Sequence, residues 1–153
     1  MYQNLLALDK SLKEVLNIRE SKIVTEDKYK TVERQYLLDN LNYFILSEKA
    51  KKLCNFDVVN VLYFSSESKC MGCPAQGTIL TYLKNLFNER LLVFPLDTDI
   101  SEPMIEILKS KYNIKELPAI VIEGKTYQGI MLREDLLKLI CREFINEQKE
   151  CKS

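Results

Sequence analysis

The chain reads as an α/β protein, a mixed sheet flanked by helices and preceded by an N-terminal helical segment. Three observations predict this. Apolar residues recur at helical spacing through residues 1–54. From Phe56 the pattern switches to short apolar runs alternating with helical stretches. Near the C-terminal end, two short strand-like runs meet at a glycine turn.

The elements follow in order. Leu5, Leu8, Leu12, Val15 and Leu16 outline a first helix, with Lys and Glu between them. A break follows near Ser21 to Thr25, where Ile23-Val24-Thr25 could form a very short strand. From about Glu26 to Leu53, Tyr29, Val32, Tyr36, Leu37, Leu41, Phe44 and Ile45 form a broad apolar stripe. These helices either pack on the neighbouring domain or offer a surface to a partner or second copy. Val58 to Phe64 is nearly continuous apolar, as expected of a strand covered on both faces. Pro74 suits a first helical turn, where a missing N–H costs nothing. That helix buries Ile79, Leu80, Leu83, Leu86 and Phe87. Leu91 to Leu96 is the next strand, and Ser101 is placed to cap a helix holding Ile105, Leu108 and Tyr112. Ala119–Glu123 and Thr126–Gln128, joined by Gly124-Lys125, form a hairpin that Gly129 ends. A last helix from about Arg133 to Glu147 turns Leu136, Leu137, Ile140, Phe144 and Ile145 inward. The expected division is residues 1–54 as a helical extension and 55–153 as the α/β domain.

Composition narrows the function. The chain has 153 residues, with 22 basic and 22 acidic side chains and a net charge of +0. That balance gives no electrostatic footing for nucleic acid or an anionic membrane. No apolar run approaches the roughly 20 residues of a bilayer span. The start, Met1 to Lys10, lacks the basic and apolar regions of a secretory leader, so a cytoplasmic protein is expected. Histidine is absent, which removes imidazole catalysis and histidine metal ligation. The cysteines are Cys54, Cys70, Cys73, Cys141 and Cys151. Their odd number and wide scatter argue against a structural disulfide framework. Cys141 is expected to pack as a small hydrophobe, Cys151 to be a free surface thiol, and Cys54 to be a bystander near the first strand.

Cys70-Met71-Gly72-Cys73 is the chemical centre of the sequence. Thiols two residues apart can close a small disulfide ring or share a metal ion. A helix start favours disulfide chemistry, because unpaired N–H groups and the positive dipole end stabilise a thiolate. Zinc would need two further ligands, and no second CxxC exists.

From Phe56 to about residue 148 the chain resembles the thioredoxin family. Three features carry the likeness: the apolar strand leading to Cys70-Met71-Gly72-Cys73 at a helix start, Leu117-Pro118 just before a strand and hairpin, and Gly129 closing that hairpin. The resemblance implies a thioredoxin-like sheet and a thiol–disulfide oxidoreductase without a cofactor. In that mechanism Cys70 is the nucleophile and Cys73 the resolving thiol, with a Cys70 pKa drawn from roughly 8.5 towards 7. It also implies that Pro118 is cis and lies against Cys70, and that Met71, Gly72, Leu117 and Pro118 contact substrate. Partners would be a disulfide-bearing protein or small thiol and a reductant, with self-association through the N-terminal helices as a further option. The chain departs from the family in several places. Tyr63 and Phe64 stand where thioredoxin has a buried Asp, Lys69 replaces the Trp before the first Cys, and Met-Gly replaces Gly-Pro. The family's first strand is also missing, which would leave Leu91–Leu96 at a sheet edge, consistent with Pro95 in it, for the N-terminal helices to cover. A redox-inert binding module on the same fold is the alternative function.

Overall fold

A computed structural model describes residues 2–20 and 25–152, leaving aside the side chains of residues 2, 4, 5 and 18–20. The expected short strand at Ile23-Val24-Thr25 lies mostly outside the described residues. Thr25 itself is extended and precedes the second helix as its N-cap.

Two helices open the chain, α1 (Tyr2–Glu20) and α2 (Glu26–Cys54). Then come β1 (Val59–Ser65), α3 (Cys73–Phe87), β2 (Leu91–Asp97), α4 (Pro103–Lys111), β3 (Ala119–Ile122), β4 (Lys125–Gln128) and α5 (Arg133–Glu143), with short 3₁₀ turns at Asn88–Arg90 and Lys149–Cys151. The four strands form one mixed sheet in the order β2-β1-β3-β4. β1 runs parallel to β2, with Val61 opposite Val93, and antiparallel to β3, with Leu62 opposite Val121. The β3–β4 turn falls at Glu123-Gly124, both at positive φ, one residue earlier than the Gly124-Lys125 turn expected.

Strand alternation divides the core into two layers. Leu62 and Phe64 of β1, Phe94 and Leu96 of β2, and Ala119 and Val121 of β3 face α2 and α4, meeting Leu37, Leu41, Ile105 and Leu108. Val59, Val61 and Tyr63, with Leu91, Ile120 and Ile122, face α3 and α5, meeting Leu80, Leu83, Phe87, Leu136 and Ile140. Both faces of β1 are therefore covered. Asn60, the polar interruption in this strand, ties α2 to the sheet. Ser47 Oγ donates to its Oδ1 (2.8 Å), and its own Nδ2 donates to Glu48 (2.5 Å). Its backbone N–H donates to Glu123 (2.6 Å), whose carboxylate also receives Lys51.

Among the described residues, β2 stands at the sheet edge and pairs with β1 alone. Leu8 of α1, Tyr43 and Ser47 of α2, and Leu91–Phe94 of β2 line a groove of about 720 Å³, so the N-terminal helices flank this edge without filling it.

Four expectations need correction. The stripe on α1 is only partly used: Val15 is buried, but Leu12 and Leu16 are exposed, because this helix packs against α2. Ile45 of α2 is also exposed. α4 is preceded by Glu102, not Ser101, because the chain stays extended to Glu102, whose carboxylate receives Arg34 (2.7 Å). α5 stops at Glu143 because the Asp57 carboxylate captures the N–H groups of Ile145 (2.7 Å) and Asn146 (3.0 Å), so Ile145 is exposed instead of facing in.

Candidate redox site

The site forms where β1 hands over to α3. β1 ends at Ser65, and residues 66–69 turn the chain back to Cys70. Asp99, just beyond β2, holds that turn. Its carboxylate accepts Ser66 Oγ (2.7 Å), the Ser68 N–H (2.9 Å) and Ser68 Oγ (2.8 Å). Ser66 Oγ in turn accepts the Lys69 N–H at 2.9 Å. Hydrogen bonds from the Ser66 hydroxyl, then from the Ser68 amide and hydroxyl, keep the Asp99 pKa below the usual carboxylate value. Sequence pattern alone does not single out Asp99, since its partners lie on another segment.

Cys70 and Cys73 are joined in a disulfide, with Cα atoms 5.4 Å apart. Both are buried, at 8 % and 5 % exposure. Cys73 opens α3 and Pro74 occupies its first turn. Met71 is fully exposed at the tip of the ring. Gly72 lies beneath it, against two other loops. A Cβ added there would stand 2.5 Å from Ile130 Cδ1 and 3.9 Å from Pro118 Cδ. The Leu117–Pro118 peptide bond is cis. Pro118 is buried, and its carbonyl accepts the Gly129 N–H at 2.8 Å. The structure thus sets Gly72, inside the ring that Cys70 and Cys73 close, against Pro118. Leu117 packs on the core layer below α2 and α4, while Met71 projects away.

Under the motif, Tyr63 Oη donates to the Cys73 carbonyl oxygen at 2.5 Å. Burial pushes the Tyr63 pKa up to about 12, so the phenol keeps its proton at neutral pH. Gln76, fully buried one turn into α3, accepts the Met131 N–H at 2.7 Å and anchors the loop carrying Ile130. Neither Gln76 nor Ile130 was singled out from sequence. A glutamine among the apolar positions of a CxxC helix is the signal that could have found the first.

Two of the other cysteines, Cys141 and Cys151, depart from expectation. Cys141 and Cys151 are paired in a second disulfide, so Cys151 is not a free surface thiol and Cys141 is not an unmodified packing residue. The pairing follows from the early end of α5, which lets the tail fold back. Asp57 holds Gln148 Nε2 (3.1 Å), and Arg90 pairs with Glu150 (2.7 Å). Cys54 is free and exposed. Among the described residues no group of three or more Cys, Asp or Glu is arranged to hold a metal ion, and no helix is long and apolar enough to cross a membrane.

No family model and no curated protein matches the chain. Solved structures do. An uncharacterised thioredoxin-like protein from Clostridium perfringens superposes with a TM-score of 0.51, covering 60 % of this chain and 75 % of its own, at 16 % identity. Thioredoxin-2 of the malaria parasite, described as a component of its protein secretion machinery, is 28 % identical over 56 % of this chain and 82 % of its own, with a TM-score of 0.48. Chloroplastic thioredoxin z is 17 % identical over 63 % of this chain and 88 % of its own, with a TM-score of 0.49. The chain has a thioredoxin-like fold with a CxxC disulfide at a helix start. At the general level, that combination supports thiol–disulfide oxidoreductase chemistry.

Proposed function

We propose that this protein exchanges the Cys70–Cys73 dithiol and disulfide with disulfides of proteins or small thiols. The observation that carries the reading is that disulfide's position, at the N-terminus of α3 and beside Pro118. In the reduced protein, Cys70 is the attacking thiolate. It precedes the helix, where free N–H groups and the dipole stabilise negative charge. Its sulfur bonds to one sulfur of the substrate disulfide, and the other substrate sulfur leaves as a thiolate. Cys73, now deprotonated, attacks Cys70 Sγ. The mixed disulfide breaks, the second substrate thiolate departs, and the Cys70–Cys73 bond is restored. A dithiol reductant then returns two electrons to the pair. Met71, Gly72, Pro118 and the Leu117 backbone form the proposed substrate contact, an extended chain lying across the ring beside the exposed Met71. Residues 55–153 carry this chemistry, with α2 covering one sheet face and α1 packed on α2.

The test is reduction of insulin by dithiothreitol with the protein as catalyst. Wild type is expected to accelerate it, and Cys70→Ser to fall to the uncatalysed background. Equal rates for the two proteins would leave the fold as a binding module and end the proposal.

A further inference from the structure

We propose that Gln76 is a positioning residue of the disulfide site whose side-chain NH2 donates to the Cys73 sulfur whenever the Cys70–Cys73 bond is open. This rests on the exchange reaction proposed above. Gln76 and Cys73 lie one turn apart on the buried face of α3, at 0 % and 5 % exposure. Helical side chains lean back toward the helix N-terminus, so the Gln76 amide covers the turn that holds Cys73. Its oxygen is committed to the Met131 N–H, which fixes the orientation of the amide. Among the described residues its nitrogen is buried without any partner. A buried donor left unmade is costly, which points to a partner that exists in another state of the site.

The chemistry supplies that partner. In the disulfide, Cys73 Sγ is a weak acceptor. When an incoming thiolate attacks Cys70 Sγ, a new S–S bond forms there and the Cys70–Cys73 bond breaks. The electron pair goes to Cys73, which becomes a thiolate with no proton moved. A thiolate is a strong acceptor, and a lowered pKa makes it a better leaving group. The surroundings offer little else. Tyr63 of β1 stays protonated and is bound to the Cys73 carbonyl. Residues 129–132 carry no ionisable side chain. Arg133 of α5 pairs with Glu134 and lies over Tyr82. Glu67 and Lys69, on the loop before Cys70, are exposed. Cys70 itself faces Cys73 from the other end of the ring.

The experiment uses the full chain carrying Cys54→Ser and Cys70→Ser, with the Cys141–Cys151 bond intact, so that Cys73 is the one free thiol. Thiolate absorbance against pH gives its pKa. Adding Gln76→Met, of similar length and uncharged, is expected to raise that pKa by about one unit, roughly tenfold less thiolate at a given lower pH. The same titration followed by NMR, with Gln76 intact, is expected to move one Gln76 side-chain NH2 proton downfield as Cys73 ionises. The NMR arm needs no change at Gln76 and decides the matter if Gln76→Met does not fold. An unchanged pKa, or a Gln76 NH2 signal that ignores the Cys73 titration, overturns the proposal. Neither readout depends on turnover, so failure of insulin reduction by wild type sinks the exchange reaction and is read separately.

Discussion

Tyr63 and Cys73 are joined by a hydrogen bond that crosses from β1 to the first residue of α3, phenol to carbonyl, at 2.5 Å. Gly77, one turn into α3, lies beside the same ring: a Cβ built there would stand 3.7 Å from Tyr63 Cε1, in ordinary contact.

Tyr63→Phe should cost about 1 kcal/mol, the net worth of a buried neutral hydrogen bond, read from the urea midpoint. The pH dependence has a definite sign. Burial raises the folded pKa to about 12, while an unfolded tyrosine titrates near 10. The unfolded chain therefore gives up its proton first. Tyr63's contribution is complete below about pH 10 and is lost as pH rises through the folded value. Tyr63→Phe should show a shallower alkaline loss of stability between those values.

Gly72→Ala should force Ile130 aside. The clash, 2.5 Å from a new Cβ to Ile130 Cδ1, involves the end of a half-exposed side chain. A cost of about 1 kcal/mol is expected, most of it recovered in the Gly72→Ala, Ile130→Ala double variant. Thermal melts of the four proteins in that cycle measure the coupling.

Asp99 should govern the order of the loop before Cys70. Its folded pKa is lowered by the Ser66 hydroxyl and then by Ser68. A lowered acid stabilises the fold above its unfolded pKa, near 4, and that support is lost as pH falls through the folded value. Asp99→Ala should reproduce the loss at neutral pH, with faster hydrogen exchange at the Ser68 and Lys69 amides, both held within this network.

Cys151→Ser should remove the clip on the C-terminal tail. Cys141 and Cys151 are 10 residues apart, and cross-linking a loop of that size is worth roughly 3 kcal/mol. Denaturant midpoints should fall accordingly, while insulin reduction stays at the wild-type rate. The cysteines of the proposed reaction are on α3 and the loop before it, apart from this clip.

What the sequence reveals here is periodicity and local spacing. The runs of β1, β2 and β3 alternate between two core layers, and a motif confined to four residues identifies itself. Most of the misses come from contacts that periodicity and local spacing do not show. α5 ends early because Asp57 reaches it from ahead of β1. Cys141 meets Cys151 only because the chain folds back after that break. Asp99 reads as an ordinary loop acid until Ser66 and Ser68 are brought to it. Gln76 looks like a lapse in an apolar helix face until Met131 arrives above it. Ile45, placed on the stripe by spacing, faces outward because α2 has more apolar positions than its neighbours cover.

The unzipped side of β2 is where another polypeptide could add a rung and extend the sheet into a fibre. Pro95 supplies no amide proton to such a growing ladder, while Leu8 and Tyr43 line the open groove beside the strand. One imino acid thus interrupts the row of donors that an added strand would need along that border.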